Sequence, residues 1–206
     1  MQDVVIAGYL RTAQSRSRPD APERDWFNQL RADDLLSHLL PELLRRSEVE
    51  PQEVDDCITG CSIAVSENWT YGGRFPVLLA NLPDKVAAKG VDQQCGSSMA
   101  AAHIGAMEIM VGAAEVVLVA GMEHMTRVPR GQAMLPHGHV KMNQRLTQEE
   151  QYAHWDILNS MNMGLTAARL ARENGLTREA MDAFAVRSHQ RAARAEQDGW
   201  FEGERL

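Results

Sequence analysis

Short apolar runs alternate with longer helical patterns along the first 125 residues of the chain. Runs rich in β-branched and apolar residues predict four strands, at residues 4–8, 55–63, 86–91 and 115–121. Apolar positions at helical spacing, or continuous apolar stretches, predict helices between them, at residues 32–46, 74–82 and 97–111. This alternation favours an α/β fold, in which a parallel-rich sheet carries helices on both faces.

Two of these helices differ in their patterns. In the helix at residues 32–46, leucines recur on one side, which predicts an amphipathic surface helix; Pro41 is expected either to kink it or to begin a second segment. The helix at residues 97–111 is dense in Ala, Met, Ile and Gly, and its only strongly polar residues are His103 and Glu108. We therefore expect it to be buried on most sides.

The pattern changes after Met125. Residues 126–145 contain prolines, glycines and basic residues without periodicity, which indicates a long excursion or linker. Helical patterns follow at Met163–Asn174, which Gly175 ends, and at Arg178–Asp198, which Thr177 caps. We predict two domains, residues 1–125 and a partial helical domain at residues 126–206.

Composition excludes several classes of function. The net charge of −7 disfavours nucleic acid and anionic membranes as partners, although a local basic patch can still hold a small phosphorylated molecule. The sequence has no long apolar stretch and no signal-like N-terminus, so we expect no membrane segment and a cytoplasmic protein. Three cysteines without regular spacing do not predict a disulfide framework.

Cys95 is the strongest candidate for chemistry. It lies where a predicted strand turns into a predicted helix, and the unpaired N–H groups of a helix N-terminus favour a thiolate and can stabilise an oxyanion. Cysteine is more often a buried structural residue, so position alone leaves both interpretations open. Cys57 and Cys61, four residues apart in one strand, are predicted to point to one side, into the core.

Several separate motifs resemble the thiolases, the enzymes that cleave or form 3-ketoacyl-CoA. The segment from Gln93 to Ala100, Gln-Gln-Cys-Gly-Ser-Ser-Met-Ala, closely resembles the family's nucleophile motif. The segment Ala120–Thr126 is similar to the family's Gly-Gly-Met-Glu-Ser-Met-Ser stretch. Further similar segments follow the family's order along the chain: Arg11–Thr12, Asn68–Leu82, Met163–Ala167 and Asp182–Ala192.

The resemblance implies a fold and a mechanism. The fold is a thiolase-like βαβαβ half followed by part of the family's helical loop domain. The Cys95 thiolate attacks the 3-keto carbonyl, the C2–C3 bond breaks to release acetyl-CoA, and coenzyme A then takes the acyl group from Cys95. The backbone N–H of Cys95 forms one leg of the oxyanion hole. Coenzyme A is a substrate, expected beside Asn162, Met163 and Gly164, and no cofactor is bound permanently.

The departures from the family are equally informative. Thiolases are roughly twice as long, and their second half carries a Gly-His-Pro histidine, a Cys-x-Gly cysteine and an Asn-Glu motif. None of these motifs is present here: Gly138-His139 is followed by Val140, and Ala168 stands where the family usually has Glu. We therefore expect a complementary subunit with the C-terminal half of a thiolase, in a hetero-oligomer that acts on 3-ketoacyl-CoA and coenzyme A.

The sequence leaves alternatives open for the base near Cys95 and for the function. His124 follows a predicted strand and is the best local candidate for a base near Cys95, whereas His103 is expected to be buried and hydrogen-bonded. His137 and His139 lack accompanying carboxylates or cysteines, so we predict a loop and no metal site. A non-catalytic scaffolding or binding subunit is the second hypothesis, which the intact Cys95 motif disfavours. A condensing enzyme of the ketosynthase type is the third, which the similarity to the loop domain disfavours.

Overall fold

The computed structural model describes residues 2–130 and 141–206. Its strands are β1 Asp56–Gly60, β2 Ala87–Val91 and β3 Val117–Gly121. Its α-helices are α1 Ala32–Arg46, α2 Arg74–Leu79, α3 Ser97–Met110, α4 Arg145–Gln148, α5 Ile157–Ser160, α6 Met163–Glu173 and α7 Arg178–Gln197. Single turns of 3-10 helix occur at Pro22–Arg24, Pro51–Glu53 and Ser66–Asn68, and a longer one at Glu150–Trp155.

The three strands form one parallel sheet in the order β2-β1-β3. Cys57 in the central strand pairs with Ala88 on one side and with Leu118 on the other. Parallel strands joined by helices place those helices on the faces of the sheet. The predicted α/β class with a parallel sheet is confirmed.

Alternation along the strands separates the two faces of the sheet. Cys57, Leu118 and Ala120 belong to the buried cluster that also contains Leu36 and Leu40 of α1. Because neighbouring side chains in a strand point to opposite faces, Val117 and Val119 lie on the other face, against α3. A β-carbon at Gly105 of α3 would lie 3.0–3.1 Å from these two valines. The order of layers is therefore α1 and α2, the sheet, then α3.

Helix α1 has the predicted bounds and the predicted amphipathic pattern. Its N-terminus is closed by Asp34, whose carboxylate accepts a hydrogen bond from the backbone N–H of Arg31 at 3.0 Å. Pro41 does not interrupt the helix. Its side chain is exposed, and its missing N–H removes the donor that the carbonyl of Ser37 would otherwise have.

Helix α3 also has the predicted position, but the prediction that it is buried on most sides is wrong. Only Ser97, Ala101 and Gly105, one narrow side, are buried. Met99 and Met107 on other sides are 62% and 53% exposed, and His103, which we expected to be buried, is exposed as well. The pattern predicted burial because an apolar helix requires cover, and the described residues cover only the side that meets the sheet.

The predicted strand at Val4–Gly8 is also wrong. These residues form no strand, and Val5 and Ile6 are 81% and 87% exposed. A β-branched run indicates a preference for extended backbone, but a strand exists only where a neighbour completes its hydrogen bonds. The described part of the chain places no such neighbour beside this run.

The described residues fall into two compact units, residues 2–130 with 203–206, and residues 141–202. In the second unit, the helices predicted at Met163–Asn174 and Arg178–Asp198 are confirmed as α6 and α7. The Thr177 hydroxyl accepts a hydrogen bond from Ala180 N–H at 3.2 Å, as expected of a cap. The domain boundary after Met125 stays a prediction. Among the described helices, none is long and apolar enough to span a membrane.

Candidate active site around Cys95

Cys95 lies in the tight turn that joins β2 to α3, and its side chain is exposed. The preceding residue, Gln94, has a φ of 49°, in the left-handed region. For a residue other than glycine this conformation costs roughly 1–2 kcal/mol, so the surrounding structure must hold the turn. Three hydrogen bonds do so: Gly96 N–H to Gln93 carbonyl at 3.0 Å, Ser97 N–H to Gln94 carbonyl at 3.1 Å, and Gln94 N–H to Asp92 carboxylate at 2.9 Å.

Two glycines bring the start of α3 onto the carboxyl ends of the strands. A β-carbon at Gly60, the last residue of β1, would lie 2.6 Å from Ser97 C and from Ser98 N. A β-carbon at Gly121, the last residue of β3, would fall 2.0 Å from Ser98 Oγ. A larger residue at Gly60 would push the helix N-terminus away, because it would meet backbone atoms, whereas at Gly121 it would first displace the Ser98 side chain. The site is therefore at the carboxyl edge of a parallel sheet, where α/β proteins commonly bind ligands.

Cys95 opens into a cleft of about 310 Å³ at this edge. Its described lining comes from the ends of β1 and β3, the segments after them, the turn after β2 and the start of α3. It consists of Gly60, Ser62, Gln94, Cys95, Ser97, Ser98, Gly121, Met122, Glu123 and Arg130. The backbone N–H of Cys95 makes no hydrogen bond to any described residue. An exposed thiol and a free amide donor thus lie together at a helix N-terminus, an arrangement suited to attack on a carbonyl and stabilisation of the resulting oxyanion.

Glu123 is the centre of the polar wall of the cleft. Its carboxylate accepts hydrogen bonds from Ser62 N–H at 3.0 Å, from Asn68 Nδ2 at 2.8 Å and from the Ser62 hydroxyl. Arg130 Nη2 lies 3.3 Å from the same carboxylate and also donates to the Ser62 hydroxyl. The Ser62 carbonyl accepts from Gln94 Nε2 at 3.2 Å, which links this wall to the turn beside Cys95.

The sequence alone indicates no role for Ser62, Glu123 or Arg130. Glu123 lies in the thiolase-like segment Ala120–Thr126, which was the one signal that pointed to it. Ser62 and Arg130 carried no signal, because nothing along the chain indicates that a residue two positions beyond β1 and a residue nine positions beyond β3 share one carboxylate.

Cys57 and Cys61 are buried, as predicted, and belong to the core on the α1 side of the sheet. Burial raises the pKa of each thiol to about 11, and at Cys61 the nearby Glu123 carboxylate adds to the effect. The contrast with exposed Cys95 is clear, because only a thiolate attacks carbonyl groups and a buried thiol ionises with difficulty.

The structure disfavours His124 as a base for Cys95. The Phe27 carbonyl can only accept, so Nε2 of His124 donates to it, at 3.0 Å. Its Nδ1 lies 3.4 Å from Arg127 N–H. The side chain is buried with both nitrogens engaged, and it is not among the described residues that line the cleft. His137 and His139, for which we predicted a loop, lie outside the described residues.

Asn162, Met163 and Gly164 form the start of α6 in the second unit. Asn162 is the helix cap, and its Oδ1 accepts a hydrogen bond from Leu165 N–H at 3.1 Å. Met163 is 67% exposed, and Gly164 is exposed as well. The capping bond uses the side-chain oxygen of Asn162 and leaves its Nδ2 group for a ligand; the predicted contact with coenzyme A stays a prediction.

The comparison with known proteins identifies the class to which this site belongs. The sequence profile of the thiolase N-terminal domain matches residues 4–205. The chain therefore belongs to the thiolase family, as the resemblance of its motifs predicted.

Individual relatives agree with this result. The chain is 39% identical to the 3-ketoacyl-CoA thiolase of Saccharophagus degradans, over 97% of this chain and 47% of the relative. It is 42% identical to the 3-ketoacyl-CoA thiolase of Erwinia tasmaniensis, over 99% of this chain and 49% of the relative. The chain thus spans about half the length of the curated relatives it matches.

A solved structure shows the same fold. The crystal structure of the Acat5 thiolase from Ascaris suum, in complex with coenzyme A, superposes on the chain with a TM-score of 0.76 at 25% sequence identity. The match covers all of this chain and 52% of that chain. The expected thiolase-like fold of an N-terminal half is confirmed.

Proposed function

We propose that this chain is the nucleophile-bearing half of a 3-ketoacyl-CoA thiolase. The observation that carries the proposal is the exposed Cys95 thiol beside its own backbone N–H, to which no described residue bonds, at the N-terminus of a helix in a thiolase fold. The Cys95 sulfur adds to the 3-keto carbonyl, the C2–C3 bond breaks, and the acyl group stays on sulfur while the acetyl-CoA carbanion leaves. Coenzyme A then attacks this thioester, which releases a shortened acyl-CoA and restores the thiolate.

We further propose that a partner polypeptide supplies the base and the acid for these steps. Among the described residues, those that line the cleft include neither a histidine nor a second cysteine. A missing general base or acid lowers the rate of each step by roughly 10²–10⁴-fold. The exposed apolar sides of α3 support the same view, because a large apolar patch of this kind indicates a surface that another protein covers. The partner carries the Gly-His-Pro and Cys-x-Gly motifs, in a hetero-oligomer.

Co-expression with a polypeptide that carries these two motifs tests the proposal. We expect a stable complex by size-exclusion chromatography and coenzyme A-dependent cleavage of a 3-ketoacyl-CoA. Full activity from this chain as a purified monomer would overturn the need for a partner. A soluble but inactive complex would favour a scaffolding subunit instead.

Cys95→Ser identifies the nucleophile within that complex. We expect a folded protein whose thiolysis falls by roughly 10⁴-fold or more, because a hydroxyl is close in size to a thiol and far less acidic. Cys57→Ala is the control, since it removes a buried thiol from the other face of the sheet and should leave the activity per folded molecule unchanged. Near wild-type activity of Cys95→Ser would place the chemistry elsewhere.

A further inference from the structure

Ser97, the first residue of α3, spans the turn that contains Cys95. Its hydroxyl accepts a hydrogen bond from Gln93 N–H at 2.9 Å and donates one to the Gln94 carbonyl at 2.6 Å. Its own backbone N–H also donates to the Gln94 carbonyl, at 3.1 Å. The residue is only 3% exposed, so these bonds are shielded from water. One small side chain therefore fixes the backbone on the N-terminal side of the nucleophile.

The Gln94 carbonyl and the Cys95 N–H belong to the same peptide group. A trans peptide group is planar, and its C=O and N–H bonds point in opposite directions. Whatever holds the Gln94 oxygen therefore also sets the direction of Cys95 N–H. Two donors on one carbonyl also polarise the amide, which makes its N–H a stronger donor.

We propose that Ser97 is a positioning residue, which orients Cys95 N–H towards the oxyanion that forms on a bound carbonyl. The inference rests on the proposed function, in which this N–H is one leg of the oxyanion hole. The turn requires such a restraint, because Gln94 is held in the left-handed region at a φ of 49°. Without the Ser97 hydroxyl, the Gln94 carbonyl keeps only the Ser97 backbone N–H as a donor and Gln93 N–H loses its acceptor, so the Gln94–Cys95 peptide group is held less firmly.

Two reactions at Cys95 separate this role from a general effect on folding. With iodoacetamide, the thiolate forms an S–C bond at a saturated carbon and iodide leaves, so no oxyanion appears. With p-nitrophenyl acetate, the thiolate adds to a carbonyl, an oxyanion forms, and p-nitrophenolate leaves as the acetyl group stays on sulfur. Both rates are measured on the full chain alone, at Cys95, by peptide mass mapping.

We expect Ser97→Ala to slow acetylation by roughly 10–100-fold while alkylation changes less than about threefold, since a misaligned oxyanion donor affects only the first reaction. Ser97→Thr retains the hydroxyl and should keep acetylation near the wild-type rate. Ser37→Ala is the matched control: the Ser37 hydroxyl donates to the Asp34 carbonyl at 2.7 Å in the same i to i−3 pattern, but it lies on α1, away from the cleft. It should change neither rate.

Equal slowing of both reactions by Ser97→Ala would show a purely structural role, and unchanged acetylation would show that the hydroxyl is not needed; either overturns the proposal. If Ser97→Ala melts below the assay temperature, Ser97→Thr and Ser97→Val provide the same test, because they match in size and differ in the hydroxyl. The proposed function fails separately, by absence of thiolysis from the wild-type complex, since neither rate here requires a partner or coenzyme A.

Discussion

The two faces of the sheet differ in how completely the chain covers its own helices. On one face, α1 buries a leucine stripe of Leu36, Leu40 and Leu44 and turns its polar side to water. On the other face, α3 is mostly apolar but buries only Ser97, Ala101 and Gly105. The first helix is a finished surface element, and the second has the composition of a helix that is covered on two sides.

This difference locates the helix whose apolar sides the described residues leave exposed. The energetics of α1 depend only on contacts that are present, whereas the exposed methionines of α3 contribute little until another surface removes them from water. Because α3 also begins at the turn that contains Cys95, the exposed sides of this helix and the cleft at Cys95 are next to each other in the fold. The proposed partner covers this helix and supplies the base and the acid.

The largest contrast is expected from truncating one apolar side chain on each helix. Leu40→Ala, at a residue only 2% exposed, should lower the free energy of unfolding by about 2–5 kcal/mol. Met107→Ala on α3, at a residue 53% exposed, should change it by about 0.5 kcal/mol or less in the chain alone. Urea denaturation measures both values.

A charge at Met107 tests whether the exposed side of α3 is covered in the proposed complex. Met107→Lys should weaken the complex while leaving the melting temperature of the isolated chain nearly unchanged, since the charge meets water in the chain and an apolar surface in the complex. Destabilisation of the isolated chain by Met107→Ala as large as that of Leu40→Ala would contradict the description of an uncovered face.

The alkylation rates of the three cysteines test the difference between the two faces. Cys57 and Cys61 lie in the core under α1 with pKa values of about 11, so near pH 7 they are ionised roughly 100-fold less than an ordinary thiol. Cys95, exposed ahead of α3, should react with limiting iodoacetamide at least about 100-fold faster than either. Mass mapping of labelled peptides gives the three rates. Preferential labelling of Cys57 or Cys61 would contradict the assignment of the nucleophile.

The smallest of these effects concerns the contact between α3 and the strands. Gly60→Ala places a β-carbon 2.6 Å from the backbone of Ser97 and Ser98, so we expect a loss of about 1–3 kcal/mol and slower acylation of Cys95. Gly90→Ala, in β2, is the matched control, because its β-carbon meets no atom closer than 3.5 Å. Equal effects of the two substitutions, measured by urea denaturation, would show that the close approach at Gly60 does not position the helix.

Local pattern was sufficient for much of the fold. The α1 bounds, the three parallel strands, the caps of α6 and α7 and the position of Cys95 before a helix all follow from residues close together in sequence. Val4–Gly8 was predicted wrongly, because extended backbone becomes a strand only beside a partner. The exposure of α3 was missed for a related reason, since composition indicates that a helix requires cover and not which molecule provides it.

The motifs, the periodicity and the caps were sufficient for the family, for most of the helices and strands and for the position of Cys95 before a helix, because these features depend on neighbouring residues. The packing of the strands and helices brings Ser62 and Arg130 to the Glu123 carboxylate in one wall of the cleft. It also places His124 against the Phe27 carbonyl and not beside Cys95. The same packing brings the start of α3 close to Gly60 and Gly121 at the edge of the sheet. These relations join residues far apart in the chain, and their distances are set by how the helices pack on the strands.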